Sequence, residues 1–417
     1  MKKEIFAALE IADQEIRIIV GEFYNSRFNV IRVDKYKTTA KLGNKIVDES
    51  RLSNDVKAAV LRTSKNIQAP ISAVLLLIPS INMKKVPLKV NLDIQDGIVT
   101  KSDIRKAFDK ANKVSLEENY IVVDSICNRY QIGNTKYKRA PIGKKANLVT
   151  CSIDLLCMKQ NLAFKYVKII EDANLRVIDI VLDIYGIAEE ACLFDQSENM
   201  NIIILQINSN NTRLGLISEG RIVTTDSINS GINRFINIIK DTYNLSYDIS
   251  KRLVLYNNHL MNDNLSDDPV YIWDYKSITH QLSEKEIMSK IKPSFNDYAT
   301  ELLSACKPII ESKQTKIVIT GIGAEFSDFN KYLENIVNVE VSNYIPQTLG
   351  ARYGQYTGLL GSFYAYRDKS KILDETDISV DLDIFNEKLD ESKKDKKNLS
   401  MTNKLRKIIL NTSKEEK

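Results

Sequence analysis

Residues 205–216 read LQINSNNTRLGL: a strand, a tight polar corner, and the start of a second strand. Corners of this kind hold nucleotide phosphates when they are made of glycine, because bare backbone N–H groups then converge on the anion. Here the first glycine is Gly215, past the corner. Asn and Ser tolerate the turn conformations that glycine otherwise serves, but they do not offer the same open cradle. By its chemistry the corner is a plain Asn-rich turn.

Its surroundings give it a context. NIIILQI, TRLGLIS and RIVTTDS are three short strands, followed by a helical run over about 232–243. The same order opens the chain: FAALEIA, EIRIIVGEF and FNVIRVDKY, then a helical stretch over about 52–66, then the apolar strand SAVLLLIP. Strand, strand, strand, helix, strand is a layered α/β arrangement. The two starts overlay with Leu9-Glu10-Ile11 on Leu205-Gln206-Ile207 and Arg17 on Arg213. A duplication of this kind predicts two related lobes.

Between them, VPLKVNL, YIVVDSI and ANLVTCSID are strand-like and SDIRKAFDKAN is helical, a small inserted α+β domain. The expected division is a first lobe over 1–82 and 164–197, interrupted by the insert over 83–163. A second lobe follows over 198–345, with helices around 247–255 and 287–312. TLGARYGQYTGLLGSFYAYRD reads as a long closing helix, giving a core segment over 346–370.

The remainder is charged. Residues 371–391 hold eight acids against two lysines, and 392–407 hold seven bases against the single acid Asp395. The first part predicts a solvated linker over 371–398. Over 399–417, Met401, Leu405, Ile408 and Ile409 fall at i, i+4, i+7 and i+8, one stripe of a helix. Lys404, Lys407 and Arg406 flank it, and Lys393, Lys394, Lys396 and Lys397 precede it. That combination suits an anionic membrane surface. A helix docked on the body is the alternative reading of the same stripe.

Bulk properties exclude several classes. The chain has 417 residues, 43% hydrophobic and 27% charged, with a net charge of +5, values of a soluble protein of more than one domain. It lacks an apolar run of about 18 residues, and acids interrupt the N-terminal stretch where a signal peptide needs an apolar core. Its five cysteines are scattered, as suits a reducing compartment, and two histidines leave little for a zinc site or a catalytic triad. Bases alternate with acids, without the aromatic-and-basic strip that nucleic acid would need.

Two such lobes with a hinge between them resemble the actin, Hsp70 and sugar-kinase architecture, and the details resemble the bacterial cell-division family FtsA. The insert lies where that family carries its own small SHS2-type domain. Ala140-Pro141-Ile142-Gly143 with Asn147-Leu148 is similar to the family's D-P-x-G…L-E segment, and Gly97-Ile98-Val99 with Ser102-Asp103-Ile104 to its I-x-x-x-D-I stretch. Tyr356-Thr357-Gly358-Leu359-Leu360 is similar to its last core helix, where small residues pack against the nucleotide cleft. The resemblance covers roughly 4–368 by order of elements, and extends to the tail.

The nucleotide motifs depart from the family. Its first hairpin reads roughly D-I-G-[ST]-[ST]-K, where this chain has Glu10-Ile11-Ala12-Asp13-Gln14-Glu15. Its second reads roughly D-I-G-G-G-T-T, here Gln206-Ile207-Asn208-Ser209-Asn210-Asn211-Thr212. Ala12 adds a Cβ where backbone would approach phosphate, and Asp13 and Glu15 place negative charge there. Gln206 is neutral, so it neither positions magnesium nor acts as a general base. The adenosine side is better kept: Thr320-Gly321-Ile322-Gly323-Ala324 resembles T-G-G-[GS]-A, Asp248 and Lys251 resemble E-x-x-K, and Gly231 stands in a glycine pair. Each also has a plain structural reading, as a turn glycine or a solvated lysine.

The resemblance implies ATP as the ligand, and the losses argue against magnesium and catalysis. It implies the tubulin-like protein FtsZ as partner, head-to-tail self-association, and a place on the cytoplasmic face of the membrane at the division site, with no role for nucleic acid. Two alternatives share the architecture: a pilus-assembly type of adaptor, and a small-molecule kinase, which would need the missing acid and glycines.

Overall fold

The strand Lys3–Ile11 (KEIFAALEI) is apolar along most of its length and buried on both faces. This is the pattern of a strand covered on two sides. It forms the centre of a five-stranded sheet in the order Arg176–Leu182, Ala73–Ile78, Lys3–Ile11, Glu15–Tyr24, Arg27–Lys37. The first three strands in sequence are antiparallel, and the two later ones run parallel to the first. Helix Glu49–Ile67 starts at Asp48, whose side chain accepts the Arg51 N–H, and buries Leu52, Val56, Ala59, Val60 and Ile67 along one face.

A second five-stranded sheet repeats this plan: Arg221–Ile228, Thr212–Ser218, Asn201–Ile207, Thr315–Gly321, Val341–Asn343, with the same directions. The overlay of the two starts holds to the residue. Glu10 faces Arg17 in the first sheet, and Gln206 faces Arg213 in the second.

The computed structural model describes residues 3–25, 27–256, 260–261, 264–275, 277–373 and 377–386. The expected membrane segment, with Met401, Lys404, Leu405, Arg406, Lys407, Ile408 and Ile409, lies outside the described residues, as does 387–398.

Within the first lobe, Lys84–Asp93, Leu148–Lys159, Tyr120–Ile132 and Thr135–Tyr137 form a separate antiparallel sheet. Helix Lys101–Ala111 lays Ile104, Ala107 and Ala111 into a core that includes Leu92, Val149 and Ile153. Lys369 Nζ joins this unit to the lobe, donating to Asp124 at 3.2 Å and Asp179 at 2.7 Å. The predicted edge at 163 falls inside helix Gln160–Asp172, which packs on Glu49–Ile67.

Three sequence expectations need correction. The closing helix is Thr357–Leu373, and 348–353 is loop: Gly350 takes a left-handed φ of 86°, which interrupts a helix. The insertion of the second lobe contains a hairpin as well as helices, Pro269–Tyr275 against Ile278–Ser283, in which Trp273 stacks on Tyr271 and His280. The third concerns the linker.

Part of the predicted solvated linker is built into the first lobe. Ser379 is wholly buried: its Oγ accepts the Ala7 N–H at 2.8 Å, its N–H donates to Ile5 O at 3.0 Å, and its carbonyl accepts the Ser72 N–H at 3.0 Å. Val380 bridges to Ile71, and Phe385 is buried under the Lys3 ammonium. Composition counts acids, and the few apolar residues among them decide the docking.

The closing helix rests on helix Asp183–Glu190, glycine against glycine: a Cβ on Gly361 would lie 1.7 Å from Gly186 O. These small residues bring two helices together.

Candidate functional site

The two hairpins face each other across the gap between the lobes. In the first, Ala12 N–H donates to Glu15 O at 2.8 Å and Gln14 adopts a left-handed φ of 58°. Between them the Asp13 carboxylate is 6% exposed. One of its oxygens accepts the Gly43 N–H and the other the Asn210 N–H of the second hairpin, each at 2.7 Å. The expectation that Asp13 only repels a phosphate is thus incomplete, since its carboxylate takes up backbone donors itself.

The second hairpin satisfies itself in the same way. Asn208 bonds Asn211 through backbone, at 2.9 Å, and through side chains, at 3.1 Å. Asn208 O accepts the Ile232 N–H at 3.0 Å and Ser209 O the Asn233 N–H at 2.8 Å. A Cβ on Gly231 would lie 2.4 Å from Asn208 O, so this glycine allows helix Asn233–Tyr243 to start against the corner. Thr212 Oγ1 donates to Ser230 O at 2.8 Å, and Asn210 Oδ1 accepts from Asn233 Nδ2 at 2.9 Å.

Behind the hairpins the charges are paired. Arg17 reaches Glu10, Glu15 and Gln355 O, each at 3.2 Å. Its counterpart Arg213 faces the neutral Gln206 and turns across the gap to Asp183. Asp183 also accepts from Ser80 N–H at 2.9 Å and Ser80 Oγ at 2.6 Å. Lys41 Nζ donates to Ile11 O and lies over the Tyr166 ring. Burial, with Arg213 adding to it, pushes the Lys41 ammonium down to about 7 against the pull of Glu10, Asp13 and Asp183. Gln206 Oε1, Asn211 Nδ2 and Arg213 Nε are buried without a protein partner.

Beside this network opens a cavity of about 490 Å³, walled by Lys35, Asp248, Lys251, Arg252, Tyr256 and Glu325 among others. Burial lowers the Lys251 ammonium and raises the Glu325 carboxyl. Of the residues expected on the adenosine side, Asp248 and Lys251 line this cavity. Gly321 and Gly323 instead pack on Ile207, and Gly321 needs its left-handed φ of 76° there. The lining at that point comes from Ile322 and Glu325.

The halves of a nucleotide fit unequally. The cavity has the size of a small-ligand site and carries polar groups. The phosphate end does not fit: its donors face Asp13, and its acids are held by arginines. Among the described residues, no group of three His, Cys, Asp or Glu side chains is placed to hold a metal ion.

Sequence reading missed Lys41, Asp183, Ser80, Lys35, Arg252, Tyr256 and Glu325 as cleft residues. Asp183 carried a signal, since it follows the apolar strand Arg176–Leu182, and ligand sites gather at the carboxyl ends of parallel strands. Lys41 carried none.

No protein-family model matches the chain. The chain is similar to cell division protein FtsA of Bacillus subtilis, 19% identical over 363 residues, or 85% of this chain and 81% of that one. It is similar to FtsA of Neisseria meningitidis serogroup B, 17% identical over 356 residues, 84% and 86% of the two chains. Among solved structures it is similar to the PilM–PilN type IV pilus biogenesis complex, with a TM-score of 0.57 and 11% identity over 87% of this chain and 98% of that one. MreB5 of Spiroplasma citri bound to ADP gives a TM-score of 0.51 and 15% identity over 89% and 99%. This is an actin-like fold.

Within this actin-like fold, the two hairpins and the cavity share one cleft. Among the described residues, no helix is long and apolar enough to cross a membrane.

Proposed function

We propose that the chain is an actin-like adaptor of the cell-division kind. It ties FtsZ to the cytoplasmic face of the cell membrane at the division site, self-associates head to tail, and helps recruit later division proteins. The inserted unit stands as its SHS2-type domain, and the amphipathic segment over 399–417 holds it to anionic lipid. It is a pseudo-ATPase: the cavity beside Asp248 and Lys251 is where the adenosine half of ATP would lie, and the phosphate end supports neither magnesium nor turnover.

The observation that carries this reading is the extent of the likeness to FtsA, more than four fifths of both chains in two species. The likeness to the PilM–PilN complex favours a second reading, an adaptor of a pilus-type assembly. Such an adaptor would have no need of a C-terminal membrane helix.

Sedimentation tests the two together. The full chain is expected to pellet with liposomes containing anionic lipid, and to carry FtsZ from its own source into the pellet. Deleting 399–417, or combining Ile408→Glu with Ile409→Glu, releases it to the supernatant. Failure to bind that FtsZ turns the assignment to the pilus-type reading; pelleting of both variants moves the anchor elsewhere.

A further inference from the structure

We propose that Asp13 is a built-in substitute for a bound phosphate, holding the two lobes together without any ligand in the cleft. A cleft that had merely lost its glycines would leave backbone donors open to solvent. Here one carboxylate oxygen accepts from Gly43 in the first lobe and the other from Asn210 in the second, both at 2.7 Å. Ionised acceptors on backbone N–H groups make short, strong hydrogen bonds. They also fill the kind of site that otherwise takes an anion.

Neighbouring contacts run in the same direction. Asn44, one residue past Gly43, donates to Ser227 Oγ at 3.4 Å and accepts from Arg213 at 3.4 Å. Thr225 Oγ1 donates to Ser80 O at 2.7 Å, and Arg213 pairs with Asp183. Each of these joins the first lobe to the second. Asp13 is the member placed between the two hairpin corners. Because it belongs to the chain, it competes with any free polyphosphate at high effective concentration. Lobe closure is then a property of the folded chain, and ligand entering the adjoining cavity leaves the hairpins as they are.

Amide hydrogen exchange on the full chain reads this directly, in peptides covering 41–47 and 207–213. In the wild type, protection of both is expected to be the same with and without millimolar ATP, even if 248–256 responds. Asp13→Ser, too short to reach both donors, should raise exchange in both peptides about tenfold or more, the scale of a lost charged hydrogen bond. Inorganic pyrophosphate should then restore protection in that variant. Should Asp13→Ser fail to fold, the isosteric Asp13→Asn decides: it keeps one acceptor, so at least one peptide must lose protection. Wild-type protection that rises with ATP in 41–47 and 207–213 overturns the proposal. So does Asp13→Asn exchanging like wild type in both peptides.

Discussion

Arg17 and Arg213 stand at the same register position of two duplicated hairpins, opposite Glu10 and Gln206. Directly opposed side chains on antiparallel strands point to the same face. Arg17 therefore finds its counter-ion within its own sheet, whereas Arg213, facing an amide, takes Asp183 from the other lobe. Both Arg213 and Asp183 are buried, so removing one leaves the other charge unpaired. Arg213→Met is expected to cost about 3–5 kcal/mol by urea unfolding, and Arg213→Met with Asp183→Leu less than that. A double variant as unstable as the single one would contradict the pairing.

Buried titratable groups also set a pH response. Burial raises Glu189, with Asp368 adding to it, and Glu190, each from the usual 4.5 to about 7. Between those values the folded chain holds more protons than the unfolded one, so their contribution falls as pH rises. Lys41 moves from 10.5 to about 7. Between pH 7 and 10.5 the unfolded chain holds the extra proton, so that contribution grows as pH rises. Thermal melts across this range should show Glu190→Gln flattening the acidic limb and Lys41→Met the alkaline one. An unaltered alkaline limb in Lys41→Met would count against a depressed Lys41. The arginine pair was legible in the overlay of LEI on LQI. Lys41 was not, because its burial comes from Tyr166 and Arg213, far along the chain.

At the scale of elements, strands buried on both faces read clearly as apolar runs, and the first helix as a spaced stripe with an Asp cap. Two features did not. The hairpin Pro269–Tyr275/Ile278–Ser283 mixes aromatics with polar residues and pairs only with itself. The docked segment 377–386 is acidic in composition, and its place is set by Ser379, Val380 and Phe385 meeting a groove that no local pattern announces. Deleting 377–417 is expected to lower the melting temperature clearly, while deleting 388–417 leaves it unchanged, since the latter removes no described contact. Equal melting of the two truncations would show that the segment does not anchor. The crossing of the closing helix is similarly tight. In Gly361→Ala the new methyl meets the Gly186 carbonyl, which is backbone and cannot swing aside. A loss of about 1–3 kcal/mol is expected, with the exposed Lys371→Ala, on the same helix, as a near-neutral control.

For the whole molecule, the question is what an actin-like cleft does once its chemistry is gone. Phosphoryl transfer needs metal-held phosphates and a group to orient the nucleophile. Each acid near the hairpins is committed elsewhere: Glu10 to Arg17, Asp183 to Arg213 and Ser80, Asp13 to backbone. Gln206 stands where a base would be needed, and an amide cannot accept the proton. Restoring one feature should therefore not restore activity. Gln206→Asp is expected to leave phosphate release from magnesium-ATP at background, because the new carboxylate faces Arg213 and the donors of the corners remain filled. The triple variant Ala12→Gly, Asp13→Ser, Gln206→Asp frees the cradle and supplies the acid, so any turnover should first become measurable there. Magnesium-dependent phosphate release by the wild-type chain, abolished in Gln206→Ala, would mean that the cleft works through an arrangement of these residues other than the paired one. Background release in the wild type, with self-assembly that follows protein concentration and ignores nucleotide, is the outcome expected of a protein whose lobes are closed by its own side chains.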